Sequence, residues 1–320
     1  MSPSILERVK QGVVVGDGGY LLELERRGYV DSGSDREKVG TGKGSGQFTP
    51  EVAIENPDAL RGLHREFLGA GAQVLQALTF FGTREKLGRA GFGEQTEAIN
   101  AAAVRLAREV AGDAALVAGS VSRTQLFDRE GPSAAGHVRD LLNEQIQLLK
   151  AAGVDFLILE TFFHLEEMRI GLACAAASGL PVVATMSFRP TTERCSDEHS
   201  VAECARQMAD GGAALVGANC EQEPARMLPT LRAMRAAVGD RVGIAAQPSA
   251  FRTTDQTPCF TKMSQFPDDL ETIQVSRRDF QEFGRQAKQE GINYAGGCCG
   301  CNAVYIRALA RGVADPAAGA

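Results

Sequence analysis

The sequence predicts a single-domain (β/α)8 barrel, and three observations carry that prediction. Eight short apolar runs alternate with longer segments of helical period along the 320 residues. The runs are nearly continuous in Val, Ile, Leu, Ala and Phe, which is the pattern of parallel strands covered on both faces. No shift in composition divides the chain, and eight strand–helix pairs in about 300 residues match the size of such a barrel. A doubly wound open sheet is the competing arrangement, and the count of eight favours the barrel.

The first run, GVVVGD (12–17), closes on an acidic residue before a glycine pair. AQVLQALTF (72–80), ALVAGSVS (115–122), FLILETF (156–162), VVATMSF (182–188), ALVGANC (214–220), VGIAAQP (242–248) and NYAGGCCG (293–300) follow it. The segments between them have helical period, as in PDALRGLHREFLGAG (57–71), EAINAAAVRLAREVA (97–111), VRDLLNEQIQLLKAAG (138–153) and RDFQEFGRQAKQEG (278–291). Several end in glycine just before the next strand, a usual helix stop. Two segments break the rhythm, 31–47 and 249–277. Both follow strands, where a barrel carries long loops at its C-terminal face. Residues 31–47, rich in Gly and Ser, read equally as an insertion whose composition cannot support packing of its own. The barrel is therefore expected over 1–312 with a flexible insertion at 31–47, followed by a disordered tail at 313–320. Within the insertion, GTGKGS resembles a phosphate-binding loop, but Gly44 follows Lys43 where that motif needs Ser or Thr.

The chain is 44% hydrophobic and 23% charged, with a formal net charge of -6. No dense run of Lys and Arg offers a footprint for nucleic acid or an anionic membrane. The opening MSPSILERVKQG lacks the apolar core of a signal peptide, and no apolar run approaches the ~20 residues that span a bilayer. A cytoplasmic protein is expected, in which eight cysteines are buried or metal-binding thiols before they are disulfides.

A barrel draws its catalytic residues from the C-terminal ends of its strands. Those ends offer Asp17, Gln76, Phe80 and Phe81, Glu160, Cys220, Gln247, and Cys298 with Cys299. Cys220 closes strand six and the cysteine pair closes strand eight, two strands apart around a closed ring. Three thiolates converging there form a soft set suited to Zn²⁺, and three protein ligands leave a fourth position open to a thiol substrate. Cys298 and Cys301 also form a C-x-x-C, the spacing of a redox pair, though without the βαβ context of a thioredoxin. Cys174, Cys195, Cys204 and Cys259 read as isolated thiols. Glu160 ends an otherwise apolar strand, where a carboxylate has few structural reasons to be. Asp17 in GDGGY either accepts hydrogen bonds from an ammonium group or closes a tight turn, and the glycines beside it permit close backbone approach. The four histidines form no recognisable catalytic arrangement; His64 falls within a helix, and His164 in the first turn of another.

The segments GDGGYLLELERRGYV, TPEVAIENPDALRGLHREFLGAGAQVLQALTF, NCEQEP and YAGGCCG resemble the zinc-dependent homocysteine S-methyltransferase family, and most of all its betaine-using members. The likeness runs from about Val13 to Leu309. It implies a (β/α)8 barrel holding Zn²⁺ on Cys220, Cys298 and Cys299, which with Glu160 form the catalytic set. It implies homocysteine bound near Asp17, Gly18 and Glu160, its sulfur on the open zinc position, and methionine as product. The methyl donor would be a cationic onium compound. Quaternary ammonium groups are commonly held on aromatic faces, Trp best of all, yet this chain has no Trp and four Tyr. Phe48 stands where the betaine enzymes carry a Trp, Phe81 where they carry a Tyr, and Thr161 where they carry another. Phe48, Phe80, Phe81, Phe162 and Phe163 are the candidates for a cage, with Gln76 as a polar contact. The donor is then a betaine or a sulfonium such as S-methylmethionine, dimethylsulfoniopropionate or S-adenosylmethionine. A non-catalytic barrel that binds zinc and a thiol is the alternative in another class. A homo-oligomer is compatible with the sequence, but the assembly extension of the betaine enzymes has no counterpart in these 320 residues.

Overall fold

Eight parallel strands form one sheet in the order β1-β8-β7-β6-β5-β4-β3-β2. They are β1 (Val14–Val15), β2 (Val74–Ala77), β3 (Leu116–Ser122), β4 (Phe156–Phe162), β5 (Val182–Met186), β6 (Leu215–Asn219), β7 (Gly243–Gln247) and β8 (Tyr294–Ala295). The computed structural model describes residues 3–29, 49–189, 193–267 and 269–316. The insertion expected at 31–47, Phe48 and the last four residues of the chain lie outside the described residues.

Inward and outward side chains alternate along each strand, and both sets are buried. The outward set packs under the helices in one large apolar cluster. The inward set forms a second cluster that includes Val14, Val74, Leu116, Phe156, Ile158, Val183, Leu215 and Tyr294, joined by Ile5 from the short helix Ile5–Arg8. One step further along each strand the same inward face turns polar: Gln76, Ser120, Glu160, Thr185, Asn219 and Gln247. This change of chemistry makes the C-terminal end of the barrel a floor for polar ligands while the lower half stays a packed core.

The ring closes between β1 and β2 without a continuous ladder. There the Gln73 N–H donates to the Val15 carbonyl (2.7 Å), and the Val15 N–H donates to the Gln73 side-chain oxygen (2.9 Å). At the next position up, the Gln76 N–H donates to the Asp17 carboxylate (2.6 Å) rather than to backbone.

β1 and β8 are shorter than the sequence runs at 12–17 and 293–300. Past Val15 and Ala295 come Gly16 and Asp17 and the GGCCG segment at 296–300, which carry the chain into the site. The last helix, Ala303–Ala314, passes the boundary expected at 312. Asp315 follows it and accepts from Arg285 Nε (2.8 Å), which anchors the start of the segment expected to be disordered. Among the described residues, no helix is long and apolar enough to cross a membrane.

Candidate metal centre

The three cysteines singled out at the ends of strands six and eight come together. The sulfurs of Cys220, Cys298 and Cys299 all lie within 4.8 Å of one another, with Cys220–Cys299 at 3.6 Å and Cys298–Cys299 at 4.0 Å. Two ligands at about 2.3 Å on a tetrahedral centre stand about 3.8 Å apart, so this spacing fits one shared Zn²⁺. In the absence of a cation, the neighbouring thiol (Cys298 for Cys220, Cys220 for Cys299) and burial push both groups well above the usual thiol range. A divalent cation reverses that preference, because coordinated thiols ionise.

Local backbone places the sulfurs. Cys220 and Glu221 are consecutive left-handed residues, φ 61° and 58°, which turns the chain sharply at the end of β6. The Cys220 N–H still donates to the Gln247 carbonyl (2.9 Å), so the turn begins from a fixed rung. On the other side, the glycines of GDGGY pack against the cysteine loop. A side chain at Gly18 would meet the Cys301 carbonyl at 2.0 Å, and one at Gly19 the Cys298 carbonyl at 2.4 Å. The close approach expected toward a ligand is thus made first toward the cysteine loop. Phe251, Phe260 and Leu270, from the 249–277 segment, pack on the cysteines as an apolar cover.

Cys301 does not join the centre. It is fully buried, and its thiol donates to the Pro248 carbonyl (3.4 Å). Cys298–Cys301 is therefore not set up as an exchanging pair. Cys195 and Cys204, read as isolated, are neighbours with sulfurs 3.5 Å apart. They lie in sequence on either side of the start of a helix, Val201–Asp210, which their spacing did not reveal.

The cysteines open on a cavity that is also lined by Gly18, Gln76, Phe80, Phe81 and Glu160. Glu160 accepts a hydrogen bond from Ser120 Oγ, and burial, with the nearby Asp17 charge, raises its pKa to about 7. Asp17 is absent from the lining. Its carboxylate is fully buried and accepts from Tyr20 Oη, the Gln76 N–H and Gln76 Nε2 (3.2 Å); burial raises its pKa to about 7. Tyr20 in turn meets His64 Nδ1 at 2.9 Å, and burial pulls His64 down to about 3, so the imidazole is neutral. Asp17 thus stands one layer behind the cavity and orients two residues that line it, Tyr20 and Gln76.

Asn219 went unassigned from the sequence, and its position explains its place beside Cys220. It clamps Thr161, accepting from its N–H (2.8 Å) and donating to its hydroxyl (2.7 Å), with the same nitrogen 4.0 Å from Cys298 Sγ. Thr161 is left-handed (φ 60°) at a register shift in β4, and this irregularity sits directly after Glu160.

The aromatic candidates separate. Phe162 is core, fully buried. The Phe163 ring carries the Arg123 guanidinium 3.9 Å from its centroid, and the Phe81 ring carries the Lys86 ammonium at 4.7 Å. Phe80 and Phe81 line the cavity and meet edge to face, 4.6 Å between centroids. Among the described aromatic residues, Tyr20, Phe80 and Phe81 line the cavity and Phe162 and Phe163 do not.

A barrel with three convergent thiols and a carboxylate at its C-terminal mouth has a site that could hold a soft metal ion beside a polar ligand pocket. Residues 14–313 match the family model described as homocysteine S-methyltransferase, and the chain belongs to that family. It is 38% identical over 322 residues to betaine–homocysteine S-methyltransferase 1 of Bos taurus, covering 97% of this chain and 74% of that one. It is 37% identical over 319 residues to the S-methylmethionine–homocysteine S-methyltransferase of Pongo abelii, covering 97% and 81%. In fold it resembles the metallated homocysteine methyltransferase MmuM from Escherichia coli (TM-score 0.70, 21% identity, 94% and 96% covered).

Proposed function

We propose that this protein transfers a methyl group from an onium donor to homocysteine, giving methionine, at the three-cysteine centre. The observation that carries the reading is the set of sulfurs from Cys220, Cys298 and Cys299, spaced for one metal ion and opening on a cavity that contains Glu160. A zinc ion held by these cysteines supplies a Lewis acid that keeps an incoming thiol ionised near neutral pH. Glu160 is the group for the homocysteine ammonium, with Gln76 beside it. Asp17 stands behind the cavity and orients Gln76 and Tyr20 by direct hydrogen bonds. The backbone at Gly18 completes the wall.

The homocysteine sulfur forms its bond to carbon as the donor's N–C or S–C bond breaks, and the electron pair leaves with a neutral amine or sulfide. Thiolate and onium are both charged and their products are neutral, so a site that excludes water favours the transfer. The cover of Phe251, Phe260 and Leu270 over the cysteines serves that end. A cytoplasmic location belongs to the same reading, since the three cysteines must stay reduced.

The donor is a betaine or a sulfonium. Thr161 and the engaged faces of Phe81 and Phe163 leave less aromatic surface for a quaternary ammonium, which favours the smaller sulfonium head. The test is methionine formation by zinc-loaded protein from homocysteine with glycine betaine or S-methylmethionine in parallel. Turnover with either supports the reading, and the active donor settles the subclass. Stoichiometric zinc and homocysteine binding without methionine from any onium donor would leave a binding barrel in its place.

A further inference from the structure

We infer that Asn100 and Gln145 are positioning residues for the methyl donor: from two helices outside the ring of strands, they fix the Phe80–Phe81 wall of the cavity. The inference rests on the methyltransferase reading above, with homocysteine held at Glu160 and the cysteines. Phe80 and Phe81 stand on the short turn between β2 and the helix Arg84–Arg89, and both are only partly buried. Apolar packing alone therefore does not set the two rings. Hydrogen bonds to the turn do.

Three carbonyls of that turn each accept from a side chain of a different element. Gln145 Nε2, on the helix Ala135–Ala152, donates to the Thr79 carbonyl (2.7 Å). Ser122 Oγ, at the end of β3, donates to the Phe80 carbonyl. Asn100 Nδ2, on the helix Thr96–Ala111, donates to the Gly82 carbonyl (2.8 Å). Within the turn, the Gly82 N–H donates to the Thr79 carbonyl (2.9 Å). Gly82 fits between the two amides with no room for a side chain. A Cβ there would meet Asn100 Oδ1 at 2.7 Å and Gln145 Nε2 at 2.8 Å.

Asn100 and Gln145 are fully buried, and neither lines the cavity. Each keeps a side-chain oxygen that finds no protein partner among the described residues. A buried amide half-used in this way costs stability that an apolar residue of similar shape would avoid. What the amides supply instead is direction, because the backbone they hold carries two rings that line the cavity. Homocysteine takes Glu160, Gln76 and the cysteines, so the substrate that meets the Phe80–Phe81 wall is the donor. Its methyl group must lie in line with the attacking sulfur, and a small displacement of the wall is costly in rate.

The test is Gln145→Met, which keeps the length of the side chain and removes its bond to Thr79. The Thr79 carbonyl still accepts from the Gly82 N–H, so no backbone group is orphaned. With whichever of glycine betaine and S-methylmethionine supports turnover, the donor KM should rise about fivefold or more and kcat should fall. Zinc content and the homocysteine KM should stay unchanged, and Tm should stay within about 3 °C. Hydrogen exchange at the Gly82 amide should quicken. Gly82→Ala, which presses on both amides from the turn, should give the same pattern by a different route. Unchanged donor kinetics in Gln145→Met would overturn the inference. So would a lower Tm with parallel losses toward both substrates, which would leave the two amides structural. Should Gly82→Ala fail to fold, Gln145→Met decides alone. Absence of methionine from every onium donor with the wild type would instead overturn the methyltransferase reading, and this inference with it.

Discussion

Cys220, at the end of β6, and Cys301, in the loop after β8, are both buried thiols, yet their surroundings give them different roles. Cys220 shares a point with two other sulfurs, while Cys301 donates to a carbonyl on the far side of its loop. Cys220→Ser should therefore weaken zinc binding about a hundredfold or more and abolish turnover, as read by chelator competition and methionine assay. Cys301→Ser should retain stoichiometric zinc and activity within about threefold, since a hydroxyl can still donate to the Pro248 carbonyl. Glu160 gives a second test at this scale. Its ligand-free pKa is raised to about 7, first by burial, so it is largely neutral at lower pH and ionised above. An ammonium ligand prefers the ionised form, and affinity should rise with pH and level off once the group is charged. Methionine, whose sulfur does not titrate, should bind about tenfold tighter at about pH 8 than at about pH 6. Glu160→Gln should bind weakly and flatten that dependence, measured by direct titration.

The end of β4 is not a plain strand end. The left-handed Thr161 is held by both atoms of the Asn219 side-chain amide from β6, and the clamp fixes Glu160 relative to the cysteines. A β-branched residue in that conformation stores about 1–3 kcal/mol that the clamp must hold. Asn219→Ala should let the bulge relax, lowering kcat about tenfold and raising the homocysteine KM while zinc stays bound. Steady-state kinetics beside metal analysis would separate this outcome from simple loss of the centre. The strands and their ends were legible in the sequence because parallel barrel strands are continuous apolar runs, and Cys220, Cys298, Cys299 and Glu160 interrupt or close such runs. Asn219, Tyr20 and His64 were not legible as a supporting layer. Their partners lie 58 and 44 residues away in sequence, and no local period encodes those meetings. What occupies the faces of Phe81 and Phe163, Lys86 and Arg123, was not legible either, because those meetings are made between residues far apart in sequence or across loops.

Across the whole molecule the polar layer on the inward face lies above a filled apolar core, so the barrel is solid below and receptive above. Its length and rhythm were readable from composition and spacing, but the extents of β1 and β8 were not. The glycine, aspartate and cysteine residues beyond Val15 and Ala295 continue the runs in sequence but serve the site. The ring is least continuous between β1 and β2, where a side-chain amide and a carboxylate stand in for backbone rungs. A ring joined in this way has a preferred place to breathe, and local opening there costs less than opening elsewhere. In hydrogen–deuterium exchange the amides of Val15 and Gln76 should lose protection before those of β3 to β6. Asp17 belongs both to that seam and to the support of Gln76 and Tyr20, which line the cavity, so an occupied cavity should slow exchange at the seam. Closure of the barrel would then report on substrate through backbone N–H groups that bond to Gln73 and Asp17 and not to the ligand.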